Sequence, residues 1–307
     1  MRSHVTFLSD GRKVAGHLYT PDGIAAGPRP AVVVVHPFGG VKEQTAGLYA
    51  RSLADAGFVT LAFDASYQGE SEGLPRFLED PFARAEDIKS AVGFLTTRGE
   101  VDAERIGTLG ICAGGGYATY AAQTDHRVKA VASVSGADIG GLFRDGLGGG
   151  QDRSVLRGML DAAAADRTAE AKGAEPRLER IVPETETEAE AEGFPTLYQE
   201  GRDYYRTPRA RHPHAPNWFV ARSVDRIAQY SSFGLIELIA PRPLLMIAGT
   251  EADTAYFSRE AVASATGPKE LYEVEGATHI DLYDKEEYLP QVTAKLHGFF
   301  RSALGDG

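Results

Sequence analysis

Two periods of apolar and polar positions alternate along this chain. Residues 4–8 and 13–19 are short strand-like runs on either side of Ser9-Asp10-Gly11-Arg12. They predict an antiparallel hairpin turned by Asp-Gly. Residues 31–35 are continuously apolar and rich in valine, as in a strand buried on both faces. Residues 41–56 take helical spacing and stop at Gly57, a suitable cap. Residues 58–63 read as a strand, 81–97 as a helix, 105–111 as a strand, 117–122 as a helix and 128–134 as a strand. Strands at 243–248 and 270–274 and a helix at 286–300 follow much later. Such alternation implies an α/β chain whose mostly parallel central sheet carries helices on both faces. Right-handed crossovers bring the C-terminal ends of the strands to one edge, where open α/β sheets bind ligands.

The alternation breaks between about residues 137 and 238. Residues 155–192 are rich in Ala, Glu, Arg and Asp, and the acidic run 184–192 reads as a solvated helical face. The stretch after it gathers Tyr198, Tyr204, Tyr205, Trp218, Phe219 and Tyr230. We read 137–238 as a helical cap inserted into a core domain made of 1–136 and 239–307. The aromatic half of this cap either faces the strand edge or forms a small core of its own. In the first case Tyr205 and Trp218 are the residues expected to touch a substrate.

Composition narrows the class without naming a chemistry. Of 307 residues, 43% are hydrophobic and 24% charged, ordinary values for a globular protein. The chain opens directly on a strand-like segment, and no uncharged apolar run reaches the length of a membrane span. A cytoplasmic protein without membrane contact is therefore expected. A net charge of −11 disfavours binding to nucleic acid. The chain has one cysteine, which excludes an intramolecular disulfide and suits a reducing compartment.

That cysteine is where the chemistry concentrates. Cys112 lies in Gly110-Ile111-Cys112-Ala113-Gly114-Gly115-Gly116, between the 105–111 strand and its helix. The frame is G-x-S-x-G with sulfur in place of oxygen, a motif in which a strand turns sharply into a helix and presents a nucleophile. Glycine relieves the clash a side chain would meet in so tight a turn. The helix start offers free N–H groups and a positive dipole end, which draw a thiol toward thiolate. The plainer alternative is a buried structural cysteine between helix glycines. A nucleophile needs a base, and the base needs an orienting group. His279, in the loop after the 270–274 strand, stands at the ligand edge and is the expected base. The loop Gly249-Thr250-Glu251-Ala252-Asp253-Thr254 offers the acid, with Asp253 preferred and Glu251 the alternative. Asp281 is expected to brace the histidine loop. Oxyanion donors are expected from the backbone N–H groups of Ala113 and Phe38. Phe38 belongs to His36-Pro37-Phe38-Gly39-Gly40, where Gly39 permits close backbone approach and His36 is given a structural role. Arg206, Arg209, Arg211, His212 and His214 are either a solvated loop or a handle for an anionic group. No metal is expected, because His212-Pro213-His214 is too closely spaced and no Cys/His cluster supports it. The glycine runs lack the Lys-Ser/Thr ending of a phosphate loop.

Together these features resemble the α/β-hydrolase superfamily, and within it the dienelactone-hydrolase-like branch. The resemblance covers nearly the whole chain. Gly110 to Gly115 looks like that branch's cysteine elbow, His36-Pro37-Phe38-Gly39-Gly40 like its oxyanion loop, and Gly276-Ala277-Thr278-His279-Ile280-Asp281-Leu282-Tyr283 like its histidine loop. The large insertion departs from minimal dienelactone hydrolases and looks closer to capped bacterial hydrolases and to fungal polyketide acyl transferases. The resemblance implies an α/β-hydrolase fold with an inserted helical cap. It implies a hydrolase or acyltransferase acting on an ester, lactone or thioester through Cys112, His279 and Asp253, with an acyl-thioenzyme intermediate. Natural-product or xenobiotic metabolism is the expected setting. No cofactor is implied. The expected partner is a small-molecule acyl substrate, with carrier-bound and CoA thioesters among the options and a homodimer left open. The competing reading is a catalytically idle member of the fold that binds or cyclises a pathway intermediate.

Overall fold

The computed structural model describes residues 1–21, 27–191 and 194–306, so Glu192, the end of the acidic run, lies outside the described residues. Strands β1 (Arg2–Ser9) and β2 (Arg12–Tyr19) form the expected hairpin, with Asp10 at φ 45° and Gly11 at φ 76° in its turn. Two successive positive φ values give a turn whose twist matches that of the strands. The core strands that follow are β3 (Arg29–Val35), β4 (Val59–Phe63), β5 (Val101–Ile111) and β6 (Val128–Val134). Two short strands, β7 (Leu178–Arg180) and β8 (Trp218–Val220), pair with each other in the insertion. Strands β9 (Leu244–Gly249) and β10 (Lys269–Val274) complete the main sheet. Its spatial order is β1-β2-β4-β3-β5-β6-β9-β10, parallel from β4 to β10. This is the mostly parallel sheet expected from the alternation.

Period-two alternation divides the core into two layers. Val33, Leu61 and Val131 face α2 (Pro81–Thr96) and α3 (Ala113–Thr124). Val32, Val34, Leu245 and Ile247 face α1 (Thr45–Asp55) and the terminal helix, where Tyr49, Leu53, Leu296 and Phe300 pack. Helix α2 starts at Pro81 behind Asp80, whose carboxylate accepts from the N–H groups of Phe82 and Ala83. Aspartate cap followed by proline is a strong helix start.

The chain leaves the sheet after β6 and returns at β9. Between them lie α4 (Ile139–Asp145), α5 (Arg153–Ala171), α6 (Glu186–Ala191), α7 (Thr196–Arg206) and α8 (Val224–Ile227). The insertion is thus not wholly helical, since β7 and β8 pair within it. Asn217 secures that pair, its amide oxygen accepting from Val182 N–H and its amide nitrogen donating to the Val182 carbonyl. Helix α5 buries only Ala163, in keeping with a solvated face. Ile227, Tyr230 and Ile236 return to the core layer that holds Val131 and Tyr117. After β9 come α9 (Ala255–Ser264), α10 (Asp281–Asp284) and α11 (Leu289–Leu304). Among the described residues, no helix is long and apolar enough to cross a membrane.

Candidate active site

The C-terminal ends of neighbouring parallel strands bring the sequence-marked residues together. Phe38 follows β3, Cys112 follows β5, Thr254 follows β9 and His279 follows β10. Cys112 sits at φ 56° and ψ −126°, outside the regions an L-residue usually adopts. Such a conformation costs about 1–3 kcal/mol and persists only where its surroundings hold it. Here the Cys112 N–H donates to the Val134 carbonyl, and the Cys112 carbonyl accepts from Gly115 and Ala137 N–H groups. The glycine frame is a packing requirement: a Cβ on Gly110 would lie 2.0 Å from the Gly114 oxygen, and one on Gly114 would lie 2.4 Å from the Val35 oxygen.

The hydroxyl of Tyr283 and the backbone N–H groups of Ala113 and Phe38 lie near enough to the sulfur to favour its thiolate. Each draws the thiol pKa down, yet burial outweighs them and the thiol titrates above its ordinary value. This reverses the expectation of a thiolate drawn out by the helix start: desolvation opposes charge more strongly than one helix end favours it. Phe38 N–H is aimed by its own peptide. The Pro37 carbonyl accepts from His36 Nδ1–H at 2.7 Å and from Arg84 at 3.4 Å. Because the carbonyl and N–H of one peptide point in opposite directions, fixing the Pro37 oxygen fixes Phe38 N–H. His36 Nε2 accepts from Ala65 N–H at 3.1 Å, so this buried ring is structural. Arg84 is buried with Glu79 at 3.0 Å, and Tyr117 donates to the same carboxylate at 2.7 Å.

His279 is buried, and desolvation alone lowers its pKa to about 3. Its Nδ1 pairs with Thr254 Oγ1 at 2.5 Å and its Nε2 with the Tyr283 hydroxyl at 3.3 Å. The residue on Nδ1 is therefore Thr254, where the sequence suggested Asp253. The Asp253 carboxylate instead accepts the Leu197 N–H at 3.1 Å, at the start of α7. Glu251 is exposed. Asp281 braces the loop, accepting from Thr278 N–H at 3.1 Å.

Above Cys112 opens a cavity of about 460 Å³. Its wall is mainly apolar and aromatic, including Phe38, Phe143, Phe219, Tyr198, Tyr205 and Tyr283. Tyr205 is thus at the expected place, while Trp218 lies outside the lining. The strand explains this: neighbours on β8 face opposite ways, so Phe219 points to the cavity and Trp218 packs against Arg180. Gly39 carries the cap at close range, since a Cβ there would lie 2.1 Å from Ile181. Ion pairs already engage two arginines of the basic stretch, Arg206 with Glu184 and Arg209 with Asp284 and Asp203. Among the described residues, no group of three or more His, Cys, Asp or Glu could hold a metal ion.

Sequence reasoning missed Thr254, Tyr283 and Arg84. Tyr283 was legible in principle, one helical turn beyond His279. Arg84 and Thr254 follow only from the three-dimensional arrangement.

Fold and site define an α/β hydrolase. Residues 14–140 match the model of the dienelactone hydrolase family. The chain is 40% identical over 275 residues to "Uncharacterized protein YcjY" of Escherichia coli K12, covering 89% of each chain. The crystal structure of "hypothetical protein PA2218" from Pseudomonas aeruginosa superposes with a TM-score of 0.93 at 37% identity, over 99% of this chain and 94% of that one. "Thiohydrolase aneE" of Aspergillus aculeatus is 29% identical over 283 residues, covering 90% of this chain and 86% of that protein. The chain belongs to the dienelactone hydrolase family and is a hydrolase-type enzyme.

Proposed function

We propose that this enzyme cleaves esters or thioesters of apolar acyl groups through an acyl-thioenzyme on Cys112. The observation that carries this reading is Cys112 on its strained turn between β5 and α3, lining an apolar cavity together with Phe38. In the proposed reaction His279 takes up the thiol proton and the sulfur attacks the substrate carbonyl. Phe38 and Ala113 N–H groups receive the oxyanion. The imidazolium returns the proton to the departing alcohol or thiol, and water then releases the acid. Thr254 orients His279 in the conformation seen here. Both partners begin neutral, because burial raises the thiol pKa and lowers that of the imidazole. The thiohydrolase name of one relative adds support for thioesters, with carrier-bound or CoA thioesters as candidate donors.

A wall of this composition selects acyl groups by apolar area. Each buried methylene contributes about 0.8 kcal/mol, or roughly a fourfold gain in kcat/KM. Turnover of p-nitrophenyl esters should rise by about that factor per methylene from acetate to hexanoate, and a half-ester with a free terminal carboxylate should be a poor substrate. Equal turnover of the charged and apolar acyl groups would refute the assignment.

A further inference from the structure

We propose that Arg84 is a positioning residue for the oxyanion site: with Glu79 it forms a buried clamp that holds the Phe38 loop in register with helix α3. The proposal rests on the cysteine reading above, in which Phe38 and Ala113 N–H groups receive the oxyanion, and adds what keeps those donors aligned. They come from different strand ends, Phe38 after β3 and Ala113 at the start of α3. Each must lie about 2.7–3.1 Å from the same oxygen, so a small shift of either element spoils the site.

Arg84 reaches both sides. Toward the loop, Nη2 donates to the Pro37 carbonyl at 3.4 Å and Nη1 donates to His36 Nε2 at 3.0 Å. The Pro37 oxygen also accepts from His36 Nδ1–H. The guanidinium thus steadies the peptide of Phe38 both directly and through the imidazole. On its other side, Nε and Nη2 grip the carboxylate oxygens of Glu79 at 3.0 and 3.3 Å. Tyr117 of α3 donates to that carboxylate at 2.7 Å, and the guanidinium carbon lies 5.2 Å from the centre of the Tyr117 ring. Glu79 N–H donates to Ser223 Oγ at 3.0 Å, which joins the clamp to the insertion. Arg84, Glu79, His36 and Tyr117 are all buried.

Stability alone is a poor account of this arrangement, because a buried ion pair adds little over apolar residues of similar volume. What the guanidinium supplies is a set of N–H donors in one rigid plane. An ammonium is a compact point charge. A lysine here could keep Glu79, but it could not also span to Pro37 and His36.

The test compares two reactions of the same sulfur. Acylation by p-nitrophenyl hexanoate passes through an oxyanion, whereas iodoacetamide alkylates the sulfur by displacing iodide from a saturated carbon and forms none. In Arg84→Lys the acylation burst should slow by about 100-fold, the scale of a lost oxyanion donor. Alkylation of Cys112 should stay within threefold of wild type, because the positive charge is kept. Inhibition by hexanamide, which fills the cavity without reacting, should stay within twofold. A folded Arg84→Lys whose acylation is within threefold of wild type overturns the proposal. So does alkylation that falls in step with acylation, since Arg84 would then act on the thiol or on the fold at large. If Arg84→Lys does not fold, Tyr117→Phe decides, as it removes only the hydroxyl that ties α3 to Glu79. A loss of about tenfold in acylation alone supports the clamp, and unchanged acylation overturns it. If the wild type forms no acyl adduct on Cys112, the cysteine reading fails and the clamp falls with it.

Discussion

A thiol and an imidazole that are both neutral at rest set the character of this site. Burial raises the Cys112 pKa and holds that of His279 at about 3. The same desolvation has a consequence for stability. His279 stays unprotonated in the folded chain well below 6.5, whereas the unfolded chain protonates it there. Between those values the unfolded state binds more protons, so stability falls as pH falls. At pH 4.5, two units below the unfolded value, this one residue removes roughly 3 kcal/mol. His17, with its pKa at about 4, acts in the same direction. Urea unfolding at pH 7 and 4.5 should show the loss, and His279→Gln should shrink the difference between the two by about 3 kcal/mol. An unchanged difference would contradict the burial account. The sequence could mark Cys112 and His279 because glycine spacing and loop position are local signals. It could not weigh desolvation against the helix dipole, because that balance depends on what covers the sulfur.

At the scale of elements, the loop after β9 serves two neighbours. Thr254 reaches the histidine and Asp253 reaches the cap helix α7. Thr278 adds a second tie, donating to Glu200 of α7 at 2.6 Å. Asp253→Asn should therefore loosen α7, raising KM with kcat within about threefold, since a rim tie touches binding more than chemistry. Thr254→Ala should lower kcat by about 10- to 100-fold through loss of imidazole orientation. Steady-state kinetics of the two variants separate the assignments. A drop near 10⁴ in kcat for Asp253→Asn, the scale of a lost triad carboxylate, would show that Asp253 reaches His279 during turnover. Strand and helix order was legible from residue patterns, and the 128–134 strand matches β6 end to end. The adjacent pair Asp253 and Thr254 was not resolvable, since spacing along a loop does not say which way each side chain turns. The facing of Trp218 and Phe219 was hidden for a related reason: the three-residue strand β8 is too short to show alternation in sequence.

Across the whole molecule, the parallel sheet gathers residues far apart in sequence at one edge, and the insertion closes over them. Core contacts bind that cover: Val220 N–H donates to Phe77 at 2.9 Å, and Phe38 meets Phe219 edge-on at 5.4 Å. Composition marked α5 as solvated, but it did not separate the two parts of the insertion: residues 179–183 and Glu188 of the polar stretch line the cavity beside the aromatic side chains, because the β7–β8 pair and α6 fold them inward. The fold back onto the core through Ile227, Tyr230 and Ile236 was not legible, since their partners lie on β6 and α3. The central claim is a covalent acyl group on Cys112. The most direct measurement is intact-protein mass spectrometry, with peptide mapping, after brief mixing with a hexanoyl thioester at neutral pH. The expected result is one added hexanoyl group on Cys112, absent in Cys112→Ala, which also loses turnover. Full turnover by Cys112→Ala, or an acyl group mapped to another residue, would contradict it.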